Sequence, residues 1–378
     1  MQHNAPQPPR TALVTGATGF TGGHLARTLA NRGWCVRALV RDSDRAAPLQ
    51  RDGIDTIVGN LTHRDDVRRA AAGCTHIFHI AALYRSAKHP DRVYHDVNVN
   101  GTRHVLDAAR EHNVARTVHC STVGVHGDID QLPADENAPF KPGDIYQQTK
   151  LEAELLARDA FNGNQPGSIF RPVGIYGPGD LRFLKLFRMI HTGRFRMFGQ
   201  GNIHYHLTYI NDLVDGIILC GTHPAALGQT YILAGPRHTT IRELADHVAH
   251  AVGRPPTKGS LPLTPLKLAA TACEILCRPF NIEPPLHHRR LDFFTKSRGF
   301  SDAKARRELG YQPKVDLPEG LTRTAAWYFQ HNYLKPSRPI PIKPTDERSD
   351  AGGPSSRTST TPPSTTPSAP STYSGPFP

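Results

Sequence analysis

No segment of this 378-residue chain is long and apolar enough to predict a membrane-spanning helix. The longest apolar stretch with a helical pattern, residues 263–276, contains Lys267 and Glu274 and is shorter than the ~20 residues that a bilayer requires. The polar residues 1–10 are not followed by the apolar region of a secretory signal. We therefore expect a cytoplasmic protein in which residues 263–276 pack in the core. A cover over a substrate cleft and a peripheral membrane contact are the alternatives for this stretch.

Cysteine is scarce, and its spacing argues against a zinc site. The pair Cys273 and Cys277 has neither a second cysteine pair nor histidines at the spacing that zinc requires, so we predict no metal site. Several cysteines fall in predicted strands or at apolar helix positions, which is typical of buried thiols in a reducing compartment. The complete set is Cys35, Cys74, Cys120, Cys220, Cys273 and Cys277.

Negative charge is in the minority, because 45 Lys and Arg residues stand against 33 Asp and Glu and the net charge is +12. A basic face suits nucleic acid, a membrane surface or an anionic substrate. No nucleic-acid motif with interleaved aromatic residues is present, so we predict no nucleic-acid partner and favour an ordinary solvated surface. The densest basic group comprises His287, His288, Arg289, Arg290, Lys296 and Arg298.

Apolar periodicity is missing from the last part of the chain. Of the 28 residues in 351–378, 20 are Ser, Thr or Pro. Such a segment cannot bury enough surface to offset its ordering entropy, so we predict disorder there. We place the end of the ordered body near Leu334 and assign residues 335–378 to a disordered tail.

The first two thirds of the chain contain a regular alternation of short apolar runs and helical patterns. This alternation is typical of a parallel sheet with crossover helices. The predicted strands are at residues 11–15, 36–40, 56–58, 76–80, 117–120 and 167–170. The predicted helices between them are at residues 22–31, 65–72, 91–112 and 146–161. The expected fold is α/β, a Rossmann-type doubly wound parallel sheet.

The pattern loosens after Arg171 and Pro172, where loops rich in Gly, Pro and aromatic residues separate the elements. The remaining predicted elements are helices near 183–192, 210–219, 241–252, 264–276 and 318–333 and a short strand at 231–233. Open α/β sheets bind ligands at the carboxyl edge of their strands. We therefore expect a ligand-binding domain at 10–175 and a smaller, mainly substrate-binding lobe at 176–334 that covers this edge.

A glycine-rich turn, TGATGFTG (15–22), joins the first strand to the first helix. Glycine permits the positive φ of a tight turn and the close approach of the backbone to a pyrophosphate. The N–H groups at the start of the helix then point at the phosphates. In this context Gly16, Gly19 and Gly22 predict a dinucleotide site. Their spacing differs from the G-x-G-x-x-G pattern, which indicates a particular subfamily.

The end of the second strand bears on the choice between NAD and NADP. NAD enzymes usually place Asp or Glu there to bind the ribose hydroxyls, but this strand ends with Val40 followed by Arg41. A guanidinium can pair with a 2′-phosphate through charge-assisted hydrogen bonds. We predict NADP. NAD is the alternative, if Asp42 binds the ribose and Arg41 is only an exposed loop residue.

Tyr146 and Lys150 lie one helical turn apart in YQQTK (146–150), so both can face one cleft. A tyrosine with a pKa near ~10 is a poor base at neutral pH, and a nearby ammonium group lowers that pKa. Lys150 can also hold the nicotinamide ribose. Thr122 follows the fifth strand and can donate to the substrate oxygen, with Ser121 as the competing candidate. The arrangement predicts proton transfer coupled to hydride transfer.

These motifs resemble those of the extended short-chain dehydrogenase/reductases, the NAD-dependent epimerase/dehydratase superfamily. The resemblance covers about residues 10–334 and extends to GNL (59–61), HIAA (79–82), NVNGT (98–102), STVGVHG (121–127), RPVGIYGPGD (171–180) and ARRELGYQP (305–313). It implies a Rossmann domain that binds NAD(P) and carries the catalytic residues, a small substrate lobe and a homodimer.

The resemblance also implies roles for single residues. Tyr146 would be the proton donor and acceptor, and Thr122 takes the position of the catalytic Ser or Thr. Asn60 would lie beside adenine, although the family usually has Asp there. The expected cofactor contacts are Gly16, Thr18, Gly19, Phe20, Gly22, Arg41, Asn60, Leu61, Ile80, Ala81, Ala82, Asn98, Tyr146, Lys150, Pro172 and Val173.

Within the superfamily the chain is most similar to 3β-hydroxysteroid or sterol dehydrogenases and dihydroflavonol-reductase-like enzymes. Many nucleotide-sugar epimerases have an Asn where this chain has Pro172, Val173 and Gly174. We expect an NAD(P)-dependent oxidoreductase that interconverts a secondary alcohol and a ketone on a lipophilic ring substrate, with decarboxylation if the substrate carries a C-4 carboxylate. The alternatives are a nucleotide-sugar epimerase or dehydratase and a non-catalytic dinucleotide-sensing regulator. The Tyr146 and Lys150 pair counts against the regulator.

Overall fold

The computed structural model describes residues 10–85, 89–277, 291 and 294–336. The predictions made for the tail after residue 336 lie outside the described residues. The same holds for His287, His288, Arg289 and Arg290, four of the six residues in the densest basic group.

A seven-stranded parallel sheet forms the centre of the protein, as the alternating pattern predicts. Its strand order is β3-β2-β1-β4-β5-β6-β9, so the order reverses between β1 and β4 and leaves a crevice at their carboxyl ends. The strands, numbered along the chain, are β1 Thr11–Thr15, β2 Cys35–Val40, β3 Asp55–Val58, β4 His76–His79, β5 Arg116–Cys120, β6 Gly167–Pro172, β7 Gly174–Tyr176, β8 His204–Tyr209, β9 Thr230–Leu233 and β10 His238–Thr240.

Helices cover both faces of this sheet, which makes the fold a doubly wound α/β structure. A π-helical turn, His95–Asn100, joins α4 to α5, so the predicted helix at 91–112 is continuous. The helices are α1 Phe20–Asn31, α2 Ser43–Arg51, α3 Arg64–Ala71, α4 Asp91–Tyr94, α5 Gly101–Glu111, α6 Ile145–Asn162, α7 Leu184–His191, α8 Ile210–Thr222, α9 Ile241–Ala251, α10 Leu263–Cys277, α11 Ala303–Leu309 and α12 Leu317–Gln330.

The region after residue 172 contains a second sheet that the sequence analysis does not predict. Its order is β10-β8-β7, with β7 parallel and β10 antiparallel to β8. The strand near 231–233, expected in the lobe, pairs with β6 instead and is the seventh strand of the main sheet. β7 and β10 have three residues each, too few to show alternation, and both pair with a strand that is distant in sequence. The six residues of β8, HYHLTY, do alternate between polar and apolar types, so this strand could have been recognised.

Core packing of residues 263–276 is a prediction that the structure contradicts. These residues form helix α10, but Ala270 is its only buried residue. Leu268, Ile275 and Leu276 are 64–69% exposed. Apolar composition alone therefore misassigned this helix, because composition does not say whether a packing partner is available. No described helix is long and apolar enough to cross a membrane.

A buried ion pair anchors α6 to the main sheet. Both Glu154 of α6 and Arg171 of β6 are fully buried, and two hydrogen bonds of 2.9 and 2.5 Å join the carboxylate to the guanidinium. Ser121, just after β5, donates to the same carboxylate. Burial raises the pKa of Glu154, but Arg171, Ser121 and Arg158 together lower it more, so the net pKa lies below the ordinary value. Glu154 therefore stays ionised in the core.

We expect Glu154→Ala to lower the free energy of unfolding by about 3–5 kcal/mol, because it leaves the Arg171 charge buried without its partner. Arg158, one turn along α6, contacts the same carboxylate but is 35% exposed. Arg158→Ala is the matched control and should cost less than about 1 kcal/mol. Urea denaturation of both variants measures the difference. Equal losses would contradict the anchoring role of the buried pair.

Candidate active site

The glycine-rich turn lies at the crevice between β1 and β4. Gly16 has φ +74°, and a Cβ there would lie 2.9 Å from the backbone of Ala81. A Cβ on Gly22 would lie 2.3 Å from the carbonyl oxygen of Gly16. Glycine is therefore required at both positions by contacts within the protein itself. Gly19 is the N-cap of α1 and has no side chain to bond the first N–H groups of this helix. Those groups suit an anionic ligand such as a pyrophosphate.

A line of buried polar groups supports the floor of this crevice. Thr15 Oγ1 lies 2.8 Å from His79 Nδ1 and accepts the Ala81 N–H at 3.2 Å. His79 Nε2 lies 3.0 Å from Thr102 Oγ1 on α5. Burial lowers the pKa of His79 to about 3, so the ring is neutral and joins β1 and α5 without adding charge. Along HIAA, Ile80 and Ala81 are partly buried and Ala82 is exposed.

Arg41 and Asp42 differ in what their side chains contact at the end of β2. The carboxylate of Asp42 caps α2 by accepting the N–H groups of Asp44 at 2.9 Å and Arg45 at 3.5 Å. Arg41 is exposed and has no hydrogen-bond or ion-pair partner in the described part of the chain. The capping role engages Oδ1 of Asp42, whereas the Arg41 guanidinium is wholly available to a ligand.

The structure gives the two asparagines of the expected cofactor set structural partners. Asn98 is buried, and its amide accepts the Leu83 N–H at 2.7 Å and donates to Leu83 O and to Thr149 of α6. Asn98 thereby fixes the loop after β4 against α6. Asn60 Oδ1 accepts the Thr62 N–H at 3.1 Å, which leaves one lone pair and the amide nitrogen for a ligand. Contact of either residue with the cofactor stays a prediction.

Tyr146, Lys150 and Thr122 come together at the carboxyl edge of β5. Lys150 is buried, and its ammonium group donates to the carbonyl oxygen of Cys120. Thr122 caps a short 3-10 turn, and its hydroxyl oxygen accepts the Gly124 N–H at 3.0 Å. Burial raises the pKa of Tyr146, whereas a hydrogen bond from Thr122 lowers it. The Thr122 hydroxyl therefore lies within hydrogen-bonding reach of the Tyr146 phenol.

Ser121, the competing candidate, points away from this contact. It is buried, and its hydroxyl donates to Glu154 in the anchor of α6. Consecutive side chains of extended chain point to opposite sides, so the engagement of Ser121 in the core leaves Thr122 on the cleft side. Pro172 is the last residue of β6 and Val173 follows it, and both side chains are buried.

Two residues of the cleft, Tyr84 and Arg85, are absent from the sequence prediction. The rings of Tyr84 and Tyr146 form an edge-to-face pair with centroids 5.0 Å apart. The Arg85 guanidinium carbon lies 5.7 Å from the Tyr146 ring centroid, and Arg85 is the cation that lowers the pKa of the Tyr146 phenol. Both residues follow HIAA at the carboxyl edge of β4. Their position just after this strand could have indicated that they line the cleft, but neither residue belongs to a recognisable motif.

Comparison with known proteins agrees with this arrangement. The NAD dependent epimerase/dehydratase family matches residues 12–234. A 4-hydroxy-2-methyl-3-oxo-4-farnesyl-3,4-dihydroquinoline-1-oxide ketoreductase from Stigmatella aurantiaca is 34% identical over 318 residues, which are 82% of this chain and 94% of that protein. A 3-beta-hydroxysteroid dehydrogenase from Mycolicibacterium neoaurum is 31% identical over 336 residues, 84% of this chain and 90% of that protein.

Solved structures show the same fold. The crystal structure of the dTDP-glucose 4,6-dehydratase DesIV from Streptomyces venezuelae, with NAD and TYD bound, superposes with a TM-score of 0.69. It is 24% identical to this chain and covers 86% of this chain and 99% of its own. At this identity the similarity establishes the Rossmann architecture and leaves the reaction to be argued from the site.

The neutral His79 predicts a pH dependence of stability. Its folded pKa of about 3 lies below the ordinary 6.5, so the unfolded state binds a proton first as the pH falls. The stability that the neutral His79 ring contributes above pH 6.5 is therefore lost as the pH falls toward 3. We expect the difference in the free energy of unfolding between wild type and His79→Gln to be about 1.4 kcal/mol smaller at pH ~5.5 than at pH ~7.5.

Urea unfolding of wild type and His79→Gln at both pH values tests this. His250→Gln, at an exposed position of α9, is the control for loss of any histidine. Parallel pH dependence in wild type and His79→Gln would show that His79 is not the group responsible.

Proposed function

This chain belongs to the NAD-dependent epimerase/dehydratase family, and we propose that it interconverts a secondary alcohol and a ketone on a lipophilic ring-bearing substrate. It is a nicotinamide-dependent oxidoreductase acting on hydroxyl or keto groups. Two relatives named as a ketoreductase and a 3-beta-hydroxysteroid dehydrogenase support the ring substrate. The observation that carries the proposal is that Thr122, Lys150 and the Tyr146 phenol lie together at the carboxyl end of β5, beside the glycine-rich turn.

The nicotinamide dinucleotide supplies or accepts the hydride when it is bound. In our proposal Tyr146 donates its proton to the carbonyl oxygen during reduction and accepts the alcohol proton during oxidation. Thr122 donates a hydrogen bond to the same oxygen, which stabilises the charge that develops there. Ionising Tyr146 is unfavourable in its buried surroundings. Nearby cations therefore have to offset that cost, and Arg85 already does so in part.

Lys150 contributes a fixed ammonium group rather than a mobile one. Its bond to the Cys120 carbonyl holds the end of the side chain at the carboxyl edge of β5. We propose that it orients the nicotinamide ribose there and stabilises the Tyr146 phenolate. The proposed cofactor contacts also include Gly16, Thr18, Gly19, Phe20, Gly22, Arg41, Asn60, Leu61, Ile80, Ala81, Ala82, Asn98, Pro172 and Val173.

The same proposal assigns cofactor binding and catalysis to residues 10–175 and substrate binding mainly to residues 176–334. A homodimer and a cytoplasmic location stay predictions. Oxidation next to a C-4 carboxylate would produce a β-keto acid, which can lose CO2. A nucleotide-sugar epimerase or dehydratase is the second candidate, since DesIV shares the fold. Tightly bound NAD in the purified protein, without net turnover of added cofactor, would favour that candidate.

We expect NADP to be preferred over NAD because one oxygen of Asp42 is engaged as a helix cap and Arg41 is available for the 2′-phosphate. Hydrogen bonds to charged groups contribute about 1.5–3 kcal/mol. Arg41→Ser should therefore lower kcat/KM for NADPH by about ten- to hundredfold and change that for NADH little. Kinetics with both cofactors measure the ratio, and Arg45→Ser, at an exposed position in α2, is the control. A wild-type preference for NADH would contradict the prediction.

Tyr146→Phe should lower kcat by about 10²–10⁴-fold with little change in cofactor affinity, because it removes only the proton donor. Tyr84→Phe also removes a phenol from the same cleft and is the matched control, with an expected loss below about tenfold. Turnover of a cyclic ketone with NADPH and cofactor titration by fluorescence provide the two measurements. Full activity in Tyr146→Phe would remove the catalytic assignment.

A further inference from the structure

Arg85 is held in one orientation beside the catalytic phenol. Its side chain is only 16% exposed, and its guanidinium carbon lies 5.7 Å from the ring centroid of Tyr146 and 6.0 Å from that of Tyr84. On another side, Arg85 Nη2 lies 2.8 Å from Asp144 Oδ2. The other carboxylate oxygen of Asp144 accepts the Gln147 N–H at 2.9 Å and caps α6. The arginine is therefore aligned by the helix that carries Tyr146.

One donor of this guanidinium has no acceptor. Arg85 Nε is buried and lacks a hydrogen-bond partner among the described residues. A buried N–H of a charged group without an acceptor is unfavourable, and substrate binding would remove that cost. A guanidinium has donors only and presents them as a planar fork. The acceptor that matches this edge in charge and shape is a carboxylate.

The charges around the cleft also favour an anion. Burial raises the pKa of the Tyr205 phenol, whereas the charges of Arg298, Arg182 and Arg85 each lower it, so these three guanidinium groups act on one phenol. Asp180 pairs with Arg182 at 2.8 Å, as Asp144 does with Arg85. Within the described residues Arg298 has no carboxylate partner. Two carboxylates therefore face three guanidinium groups.

We propose that Arg85 binds a carboxylate carried by the carbon next to the reacting alcohol or ketone carbon, so that the substrates are β-hydroxy or β-keto acids. This inference rests on the proposed oxidoreductase function and on Tyr146 as its proton donor. A group held by Arg85 lies close to the oxygen that Tyr146 serves, which fits a carboxylate on the neighbouring carbon. A small planar acceptor such as a carboxylate suits this site, because the guanidinium carbon lies 5.7 and 6.0 Å from two tyrosine ring centroids and its Nε is buried without a partner among the described residues.

The test compares 2-hydroxycyclohexane-1-carboxylate with its methyl ester as substrates for oxidation by NADP and NAD. Wild type should have a kcat/KM about ten- to hundredfold higher for the acid than for the ester. Arg85→Gln should bring that ratio close to one by lowering the value for the acid alone. Arg85→Lys keeps the charge but lacks Nε and the fork, so its ratio should lie between the two.

Asp144→Asn is the matched variant, and it should change the acid preference in the opposite direction to Arg85→Gln. Asparagine is also a good N-cap, so the start of α6 is retained, while the negative charge opposite Arg85 is removed. The preference for the acid over the ester should therefore increase. Thermal unfolding of each variant verifies that it folds. If Arg85→Gln does not fold, Arg85→Lys replaces it in the comparison of acid and ester.

Binding of unreactive probes separates failure of this inference from failure of the proposed function. With NADP present, cyclohexanecarboxylate should bind wild type more tightly than cyclohexanecarboxamide, and Arg85→Gln should lose the difference. If neither cyclic substrate is oxidised but this binding pattern holds, the carboxylate site stands and the proposed reaction fails. Equal losses for acid and ester, or no acid preference in wild type, would overturn the role of Arg85. UDP binding that depends on Arg85 more than carboxylate binding does would assign the residue to a nucleotide instead.

Discussion

The attachment of α6 to the carboxyl ends of β5 and β6 is the constraint on which the candidate site depends. Glu154 joins α6 to Arg171 of β6 and to Ser121 after β5, all in the interior. Lys150 of α6 adds a further hydrogen bond, to the carbonyl oxygen of Cys120 at the end of β5. A helix fixed at these points presents Tyr146 at the strand ends. The same bonds draw Ser121 inward and leave Thr122 beside the phenol. The bonds that position Tyr146 thus also decide that Thr122, and not Ser121, is the hydroxyl group beside it.

The reversal of strand order produces the crevice that this helix borders. The chain runs from β1 to β2 on one side and from β4 to β5 on the other, and the backbone of the glycine turn lies against Ala81 with no room for a side chain. Thr15, His79 and Thr102 join the neighbouring elements through neutral hydrogen bonds. A charged histidine there would require solvation that the interior lacks. The His79 ring is therefore neutral, while Arg85 carries positive charge beside the Tyr146 phenol.

The sequence predicted the strands and helices of residues 11–172 well because their signals are local. Each strand and helix of residues 11–172, apart from the polar α2, was placed within two residues at either end, since apolar periodicity and glycine turns are read over short windows. The second sheet was missed because β7 and β10 have three residues each and pair across long sequence separations. Helix α10 was assigned to the core wrongly, because an apolar face does not specify what covers it.

The sequence by itself determined the family and the parallel sheet, and it predicted Tyr146, Lys150 and Thr122 as the candidate catalytic set. These depend on residue types at fixed spacing, which is information that a linear chain carries. Only the tertiary structure showed that Ser121 is occupied in the core, that Asp42 caps a helix and that Arg85 lies against the catalytic phenol. Hydrogen-bond partners, burial and charge neighbours arise between segments that are distant along the chain. They exist only after folding brings those segments into contact.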